Sequence, residues 1–106
     1  MPKYLFQGSY TVEGVKGLLK EGGSSRRETI EQLAKSLGGS LEAFYFAFGD
    51  NDFFVVVDLP DNVTAAATSL VGSASGALTV KTTVLMTPEE VDQATKKSVD
   101  YRPPGQ

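Results

Sequence analysis

The sequence LEAFYFAFGDNDFFVVVDL at residues 41–59 consists of two β-type runs on either side of a short turn. Both runs are rich in aromatic and β-branched residues, and the intervening GDND has the Gly, Asp and Asn composition of hairpin turns. The pattern therefore predicts an antiparallel hairpin over 41–59, with Phe48 opposite Phe53.

In this register the alternation of side chains gives the hairpin two faces. One face carries an aromatic and valine row: Phe44, Phe46, Phe48, Phe53, Val55 and Val57. The other face carries Ala43, Tyr45, Ala47, Phe54, Val56 and Asp58. Since both faces are largely apolar, we expect both to be covered.

A strand and an interrupted helix precede the hairpin. The strand is predicted over 3–10, KYLFQGSY, and Thr11 is placed to cap the helix that follows it. Apolar residues then recur at helical spacing, and we expect a break at Gly22-Gly23. Ser25 and Glu28 form a capping-box pattern, which predicts that the second part of the helix begins there.

Another helix, a strand and a terminal helix follow the hairpin. Asp61 is the predicted N-cap of a helix whose core-facing residues are expected to be Val63, Ala66, Ala67, Leu70, Val71 and Ala74. Its other face, which includes Thr64, Ala65, Thr68, Ser69 and Ser73, carries no charge. A strand is predicted over 78–86, and Thr87 begins a short helix that runs to about Lys97.

The order of these elements is strand, helix, strand, strand, helix, strand, helix. This order predicts an α+β ferredoxin-like fold, βαββαβ, with a four-stranded antiparallel sheet, two helices on one face and a short C-terminal helix. We expect one domain over residues 1–98 and a loose tail over 99–106. The helices leave one apolar sheet face bare, and the simplest cover for it is a second copy, which predicts a homodimer or higher homo-oligomer.

Composition excludes several classes of chemistry. The 106 residues include no Cys and no His, so disulfides, zinc fingers and nucleophiles activated by His are excluded. Lys and Arg do not cluster, and residues 41–80 carry five acidic side chains and no basic one, so we expect no nucleic-acid partner. No signal peptide or membrane-spanning run is recognisable, which predicts a cytoplasmic protein without membrane contact.

The hairpin, the Ala-rich helix after it and Gly76 resemble the GYD domain family, over roughly residues 3–90. Gly49 and Asp52 match the Gly and Asp of the family signature, whereas Asn51 stands in the place of its Tyr. The family is similar to the dimeric α+β barrel group, in which two ferredoxin-like sheets face each other. That group includes cofactor-free monooxygenases, isomerases, haem enzymes and ligand-sensing domains, so the resemblance implies a fold and a dimer rather than a reaction.

The candidate site residues are those expected to border a cavity between two sheets. Candidate catalytic residues are Asp58, Tyr45 and Tyr10, and candidate ligand-binding residues are Gln7, Ser9, Tyr45 and Lys81. Asp58 would act as a general acid or base if an apolar cavity desolvated it, and it would otherwise be a carboxylate that reaches solvent at the strand end. No metal site or cofactor is expected, because Asp52 fits a turn residue and Asp61 a helix cap.

Two arginines, Arg26 and Arg27, lie in the first turn of a predicted helix, where the helix dipole favours anions. They are either solvated or placed to meet an acidic partner, such as the acidic hairpin of another subunit.

Three functions are compatible with the sequence. The first is an uncharacterised homo-oligomeric domain that binds a small apolar ligand between the sheets. The second is a cofactor-free oxygenase or isomerase that uses Asp58 and Tyr residues in the same cavity. The third is a structural domain that forms larger rings through the uncharged helix face around Thr64, Thr68 and Ser69.

Overall fold

A computed structural model describes the whole chain, residues 1–106, and contains four strands and four helices. Their bounds in chain order are β1 Lys3–Tyr10, α1 Val12–Glu21, α2 Gly23–Ser36, β2 Ser40–Phe46, β3 Phe53–Asp58, α3 Asn62–Ala74, β4 Leu78–Leu85 and α4 Pro88–Thr95. The strands form one antiparallel sheet in the order β2-β3-β1-β4. This is the predicted α+β ferredoxin-like fold, with the two crossover segments on one side of the sheet.

The hairpin pairs two residues earlier than predicted. Phe46, not Phe48, lies opposite Phe53, and β2 ends at Phe46. The loop closes where the backbone N–H of Ala47 donates to the carbonyl oxygen of Asp52 over 2.8 Å, and this leaves Phe48 fully exposed beyond the sheet. A shift of two residues keeps the side chains that remain paired on their predicted faces, so the aromatic row, without Phe48, faces the helices.

The core lies between the helices and the aromatic face of the sheet. It is a cluster of buried residues from β1, β3, the segment after β3 and α3: Tyr4, Phe6, Phe53, Val55, Val57, Leu59 and Ala65. Adjacent strands align these side chains, since Tyr4 pairs with Val57 and Phe6 with Val55. We call this side of the sheet the helical face, and the opposite side the open face.

The interrupted helix breaks at Gly22, as predicted, but α2 does not begin at a capping box. Gly22 has φ 85°, a conformation that favours glycine, and it is the N-cap of α2 without a side-chain cap. The predicted start at Ser25 is therefore wrong, because the helix already begins at Gly23. The N–H of Gly22 closes the end of α1 by donating to the carbonyl of Leu18 over 2.8 Å.

Helix α3 packs against the sheet through the face opposite to the one predicted. Ala65 is almost fully buried, and Thr68 and Ser69 are half-buried, whereas Val63 and Leu70 are exposed. The hydroxyl of Tyr4 donates to Asn62 Oδ1 over 2.7 Å and ties the start of α3 to the sheet. Small side chains let the helix backbone lie close to β1 and β4, and so the larger apolar residues point outward.

Helix α4 begins with the predicted capping box, in which the side chain of Thr87 accepts from the N–H of Glu90 and that of Glu90 accepts from the N–H of Thr87. It ends at Thr95, slightly before the predicted end. Residues 96–106 contain no helix or strand, and they are exposed, as is α4. None of the four helices has both the length and the apolar content needed to cross a bilayer.

Candidate functional site

The open face brings together five of the six candidate residues. One row crosses all four strands, because Tyr45 pairs with Phe54, Phe54 with Gln7, and Gln7 with Lys81. The residues that flank Phe54 in this row are Tyr45 and Gln7, and Lys81 follows Gln7 on the edge strand, so a hydroxyl, an amide and an ammonium group share one surface with the Phe54 ring. Tyr45 is largely exposed, with 70% of its surface accessible.

The neighbouring row of the open face is apolar. Ala43 pairs with Val56, Val56 with Leu5, and Leu5 with Thr83. Together with Phe54 and Tyr45, these residues form an apolar surface that we call the central patch: Leu5, Ala43, Tyr45, Phe54 and Val56. Helices α2 and α3 pack on the opposite side of the sheet, and every residue of α4 is exposed, so no helix is packed over the central patch.

Asp58 lies at one end of the open face in an ion pair. The ammonium group of Lys3 is 3.0 Å from Asp58 Oδ1 and 3.1 Å from Glu42 Oε2. Hydrogen bonds to Asp58 and then to Glu42 raise the pKa of Lys3 above its usual value. Glu42 reaches this pair because the hairpin register shifts between Leu41 and Ala43. The carboxylate of Asp58 therefore has a cationic partner at the edge of the central patch.

Ser9 also lies on the open face, at the other end of β1. Its hydroxyl donates to the carbonyl oxygen of Asp50 over 3.2 Å, and so it contacts the hairpin loop. Its carbonyl accepts from the hydroxyl of Thr79 over 3.4 Å. Ser9 is thus an anchor of the loop, two residue pairs beyond the row that contains Gln7 and Lys81.

The structure does not bring Tyr10 together with the other candidates, because its side chain lies on the helical face. Its ring centroid is 5.3 Å from that of Phe53 and 6.5 Å from that of Phe46. Burial raises the pKa of the Tyr10 hydroxyl, and the nearby Arg26 cation opposes this rise. The period-two alternation of β1, which groups Tyr10 with Tyr4 and Phe6, is a sequence signal for this placement.

Sequence reasoning missed a cavity of about 390 Å³ on the helical face. It lies between α2, α3 and the sheet, and Tyr10 and Arg26 are among its lining residues. Most of the lining is apolar, as in small-molecule sites. The sequence signal for this site was Arg26, a cation at a helix N-terminus. That Arg26 lies beside a cavity is seen only in the folded chain.

Asp52 and Asp61 have the structural partners expected of a turn residue and a helix cap. Asp52 Oδ2 accepts from the backbone N–H of Tyr10 over 2.9 Å, and Asp61 caps α3 by accepting from the N–H of Thr64 over 2.8 Å. The bonds from Thr64 lower the pKa of Asp61. Acidic side chains nowhere gather in a group of three that would hold a metal ion.

The uncharged face of α3 lies toward the sheet and is only partly exposed. Thr64, Thr68 and Ser69 are half-buried toward the sheet, and Thr68 and Ser69 line the cavity. The helix is rotated about its axis relative to the expected orientation, so this face has less free surface for contact with another copy than the sequence suggested.

Of three comparisons with known proteins, the one against family models gave a match. Neither the curated proteins nor the solved structures gave a significant match to the chain. The family model of the GYD domain matches residues 4–95, a range that includes all four strands except the first residue of β1. The matched range also contains the loop in which Asp52 is bonded to Tyr10. The chain belongs to the GYD domain family.

Proposed function

We propose that the protein is a homodimeric domain of the dimeric α+β barrel type, in which the open faces of two copies pack against each other. The observation that carries this proposal is the central patch, an apolar surface in the middle of a sheet face that no element of its own chain covers. Burying such a surface against an equal one removes apolar area from water, which is the main driving force of association.

The charges on the open face support this arrangement, because they lie away from the middle of the face. Lys3 pairs with Asp58 and Glu42 at one end, and Lys81 lies on the edge strand β4. A desolvated, unpaired charge at the centre would oppose association, and the patch contains none.

A small apolar ligand with a polar end would fit between the two sheets of such a dimer. The row of Tyr45, Phe54, Gln7 and Lys81 would supply an aromatic surface, and also hydroxyl, amide and ammonium groups that orient the polar end. Ser9 at the end of β1 is already bonded to the hairpin loop and would contribute less.

The alternative function, a cofactor-free oxygenase or isomerase, has less support from the geometry. Asp58 is held by Lys3 over 3.0 Å, and Tyr10 is separated from Asp58 by the thickness of the sheet. A general acid or base is instead expected in a pocket that shifts its pKa toward the working pH and within reach of the reacting atom.

The proposal is tested by measuring the mass in solution by light scattering at micromolar concentration. The wild-type chain should have twice the mass of one copy, and Phe54→Lys should be a monomer with an unchanged circular dichroism spectrum. Leu70→Lys is the matched control, because Leu70 is 71% exposed on the outer surface of α3. A monomeric wild-type protein, or dissociation by Leu70→Lys and not by Phe54→Lys, would overturn the proposal.

A further inference from the structure

The cavity on the helical face arises because the two crossover segments lie apart. Helix α2 packs over β2 and α3 packs over β4, which leaves the central strands β1 and β3 partly uncovered between them. Phe6, Phe53 and Val55 form part of its floor, and Ile30 and Leu33 of α2 form part of one wall. The volume of about 390 Å³ lies within the range of small-molecule sites.

Small residues of α3 keep the cavity open on its other side. Thr68, Ser69 and Gly72 line it, and their spacing of one, three and four residues places them on one side of the helix. Val71 also lines the cavity but is 73% exposed, and Val63 and Leu70 point outward, so α3 has few side-chain atoms with which to fill the space.

One cation lines this largely apolar space. Arg26 is half-buried in the first turn of α2, and it forms no ion pair, since the four ion pairs of the chain involve only Lys side chains as cations. The helix N-terminus adds positive potential at the same place. Asp52 is the acidic residue whose charge raises the pKa of the neighbouring Tyr10. Its carboxylate already accepts a hydrogen bond from the backbone N–H of Tyr10. Arg26 therefore lacks an anionic partner within the chain.

We propose that this cavity binds an amphipathic anion, a molecule with an apolar chain or ring and one carboxylate. The apolar part would occupy the space above Phe6, Phe53 and Val55, and the carboxylate would accept hydrogen bonds from the guanidinium of Arg26. The hydroxyls of Tyr10 and Thr29, which also line the cavity, are further donors at this end. The inference does not depend on the dimer, because the cavity lies on the opposite side of the sheet from the central patch.

Titration with octanoate, and separately with uncharged octan-1-ol, tests this proposal. Affinity is measured by calorimetry, and the binding position by amide chemical shifts. Octanoate should bind saturably and shift amides of α2, α3 and the central strands near Val55. Arg26→Gln should weaken octanoate binding about tenfold or more, the effect of losing a hydrogen-bonded charge partner, and should leave octanol binding unchanged.

Arg27→Gln is the matched control, because Arg27 is the neighbouring exposed residue and does not line the cavity. It should leave octanoate affinity unchanged. The proposal is overturned if octanoate does not bind saturably, if both variants weaken binding equally, or if the shifted amides lie around Gln7 and Lys81 on the open face. Arg26→Gln should keep the circular dichroism spectrum and the octanol affinity of the wild type, which shows that its loss of octanoate binding does not reflect a loss of folding.

Discussion

The carboxylate of Asp52 accepts a hydrogen bond from the backbone N–H of Tyr10 over 2.9 Å, although 42 residues separate them in the chain. The N–H of Asp52 donates to the carbonyl of Gly8 over 2.6 Å, and the carbonyl of Asp52 accepts from Ala47. One residue thus joins the end of β1 to the hairpin loop through its backbone and its side chain. This position, which matches the Asp of the family signature, has a structural role in this chain.

Replacing Asp52 with Ala should destabilise the fold by about 1–3 kcal/mol, because the half-buried N–H of Tyr10 would lose its acceptor. Urea unfolding measures the difference. Asp50→Ala is the control, since the carbonyl of Asp50 and not its carboxylate accepts from Ser9, and it should leave stability almost unchanged. Equal effects of the two substitutions would contradict this role of Asp52.

Two glycines of α1 should respond in opposite directions to substitution by Ala. A Cβ on Gly14 would lie 1.9 Å from the carbonyl oxygen of Ala77, whereas a Cβ on Gly17 would meet nothing within 4 Å. Gly14→Ala must displace the helix or the chain before β4 and should cost about 1–3 kcal/mol. Gly17→Ala should stabilise the protein by about 0.5–1 kcal/mol, since Ala favours the helix. Thermal unfolding of both variants checks this, and a stable Gly14→Ala variant would show that α1 does not pack there.

The rotation of α3 is tested by placing a charge on each of its two sides. Ala65→Glu would bury an unpaired carboxylate, because Ala65 is only 1% exposed, and should destabilise the fold by at least about 3 kcal/mol or prevent folding. Ala67→Glu on the exposed side should change stability by less than about 0.5 kcal/mol. The two variants are compared by denaturant unfolding. If Ala67→Glu destabilised the fold more than Ala65→Glu, α3 would have the orientation expected from the apolar periodicity.

The cap of α3 should make stability depend on acidic pH. Hydrogen bonds from Thr64 lower the pKa of Asp61 below 3.8, so its ionised form is favoured in the folded state. This contribution is fully present above the unfolded pKa and is lost as pH falls through the folded pKa. Asp61→Asn keeps a cap acceptor without the titration. The melting temperature of the wild type should therefore fall more steeply than that of Asp61→Asn between about pH 4 and pH 2. Parallel curves would contradict this assignment.

The hairpin shows what the strand pattern alone can predict about the candidate residues. The predicted register was wrong by two residues, yet Tyr45 and Asp58 lie on the face expected for them, because side chains alternate with a period of two. The position of the turn depended on the bonds of Asp52 to Gly8 and Tyr10, which are distant in sequence. A local pattern contains no information on such contacts.

Helix α3 shows the reverse case, in which a clear local pattern indicated the wrong face. Its apolar residues, including Val63 and Leu70, have helical periodicity, but the helix packs through Ala65 and its small neighbours. The rotation of a helix about its axis depends on contacts with the sheet, such as the bond between Tyr4 and Asn62. The short distance between α3 and the sheet accommodates only small side chains, and the larger apolar ones therefore lie outside.

The order of the elements, the ferredoxin-like fold and the absence of Cys and His chemistry followed from the residues alone, because turns, caps and strand alternation are local properties of the chain. The cavity beside Arg26 and the outward apolar side of α3 were decided only by the packing of the elements. Those features depend on how far apart the helices lie and how each is rotated, which contacts between distant parts of the chain control.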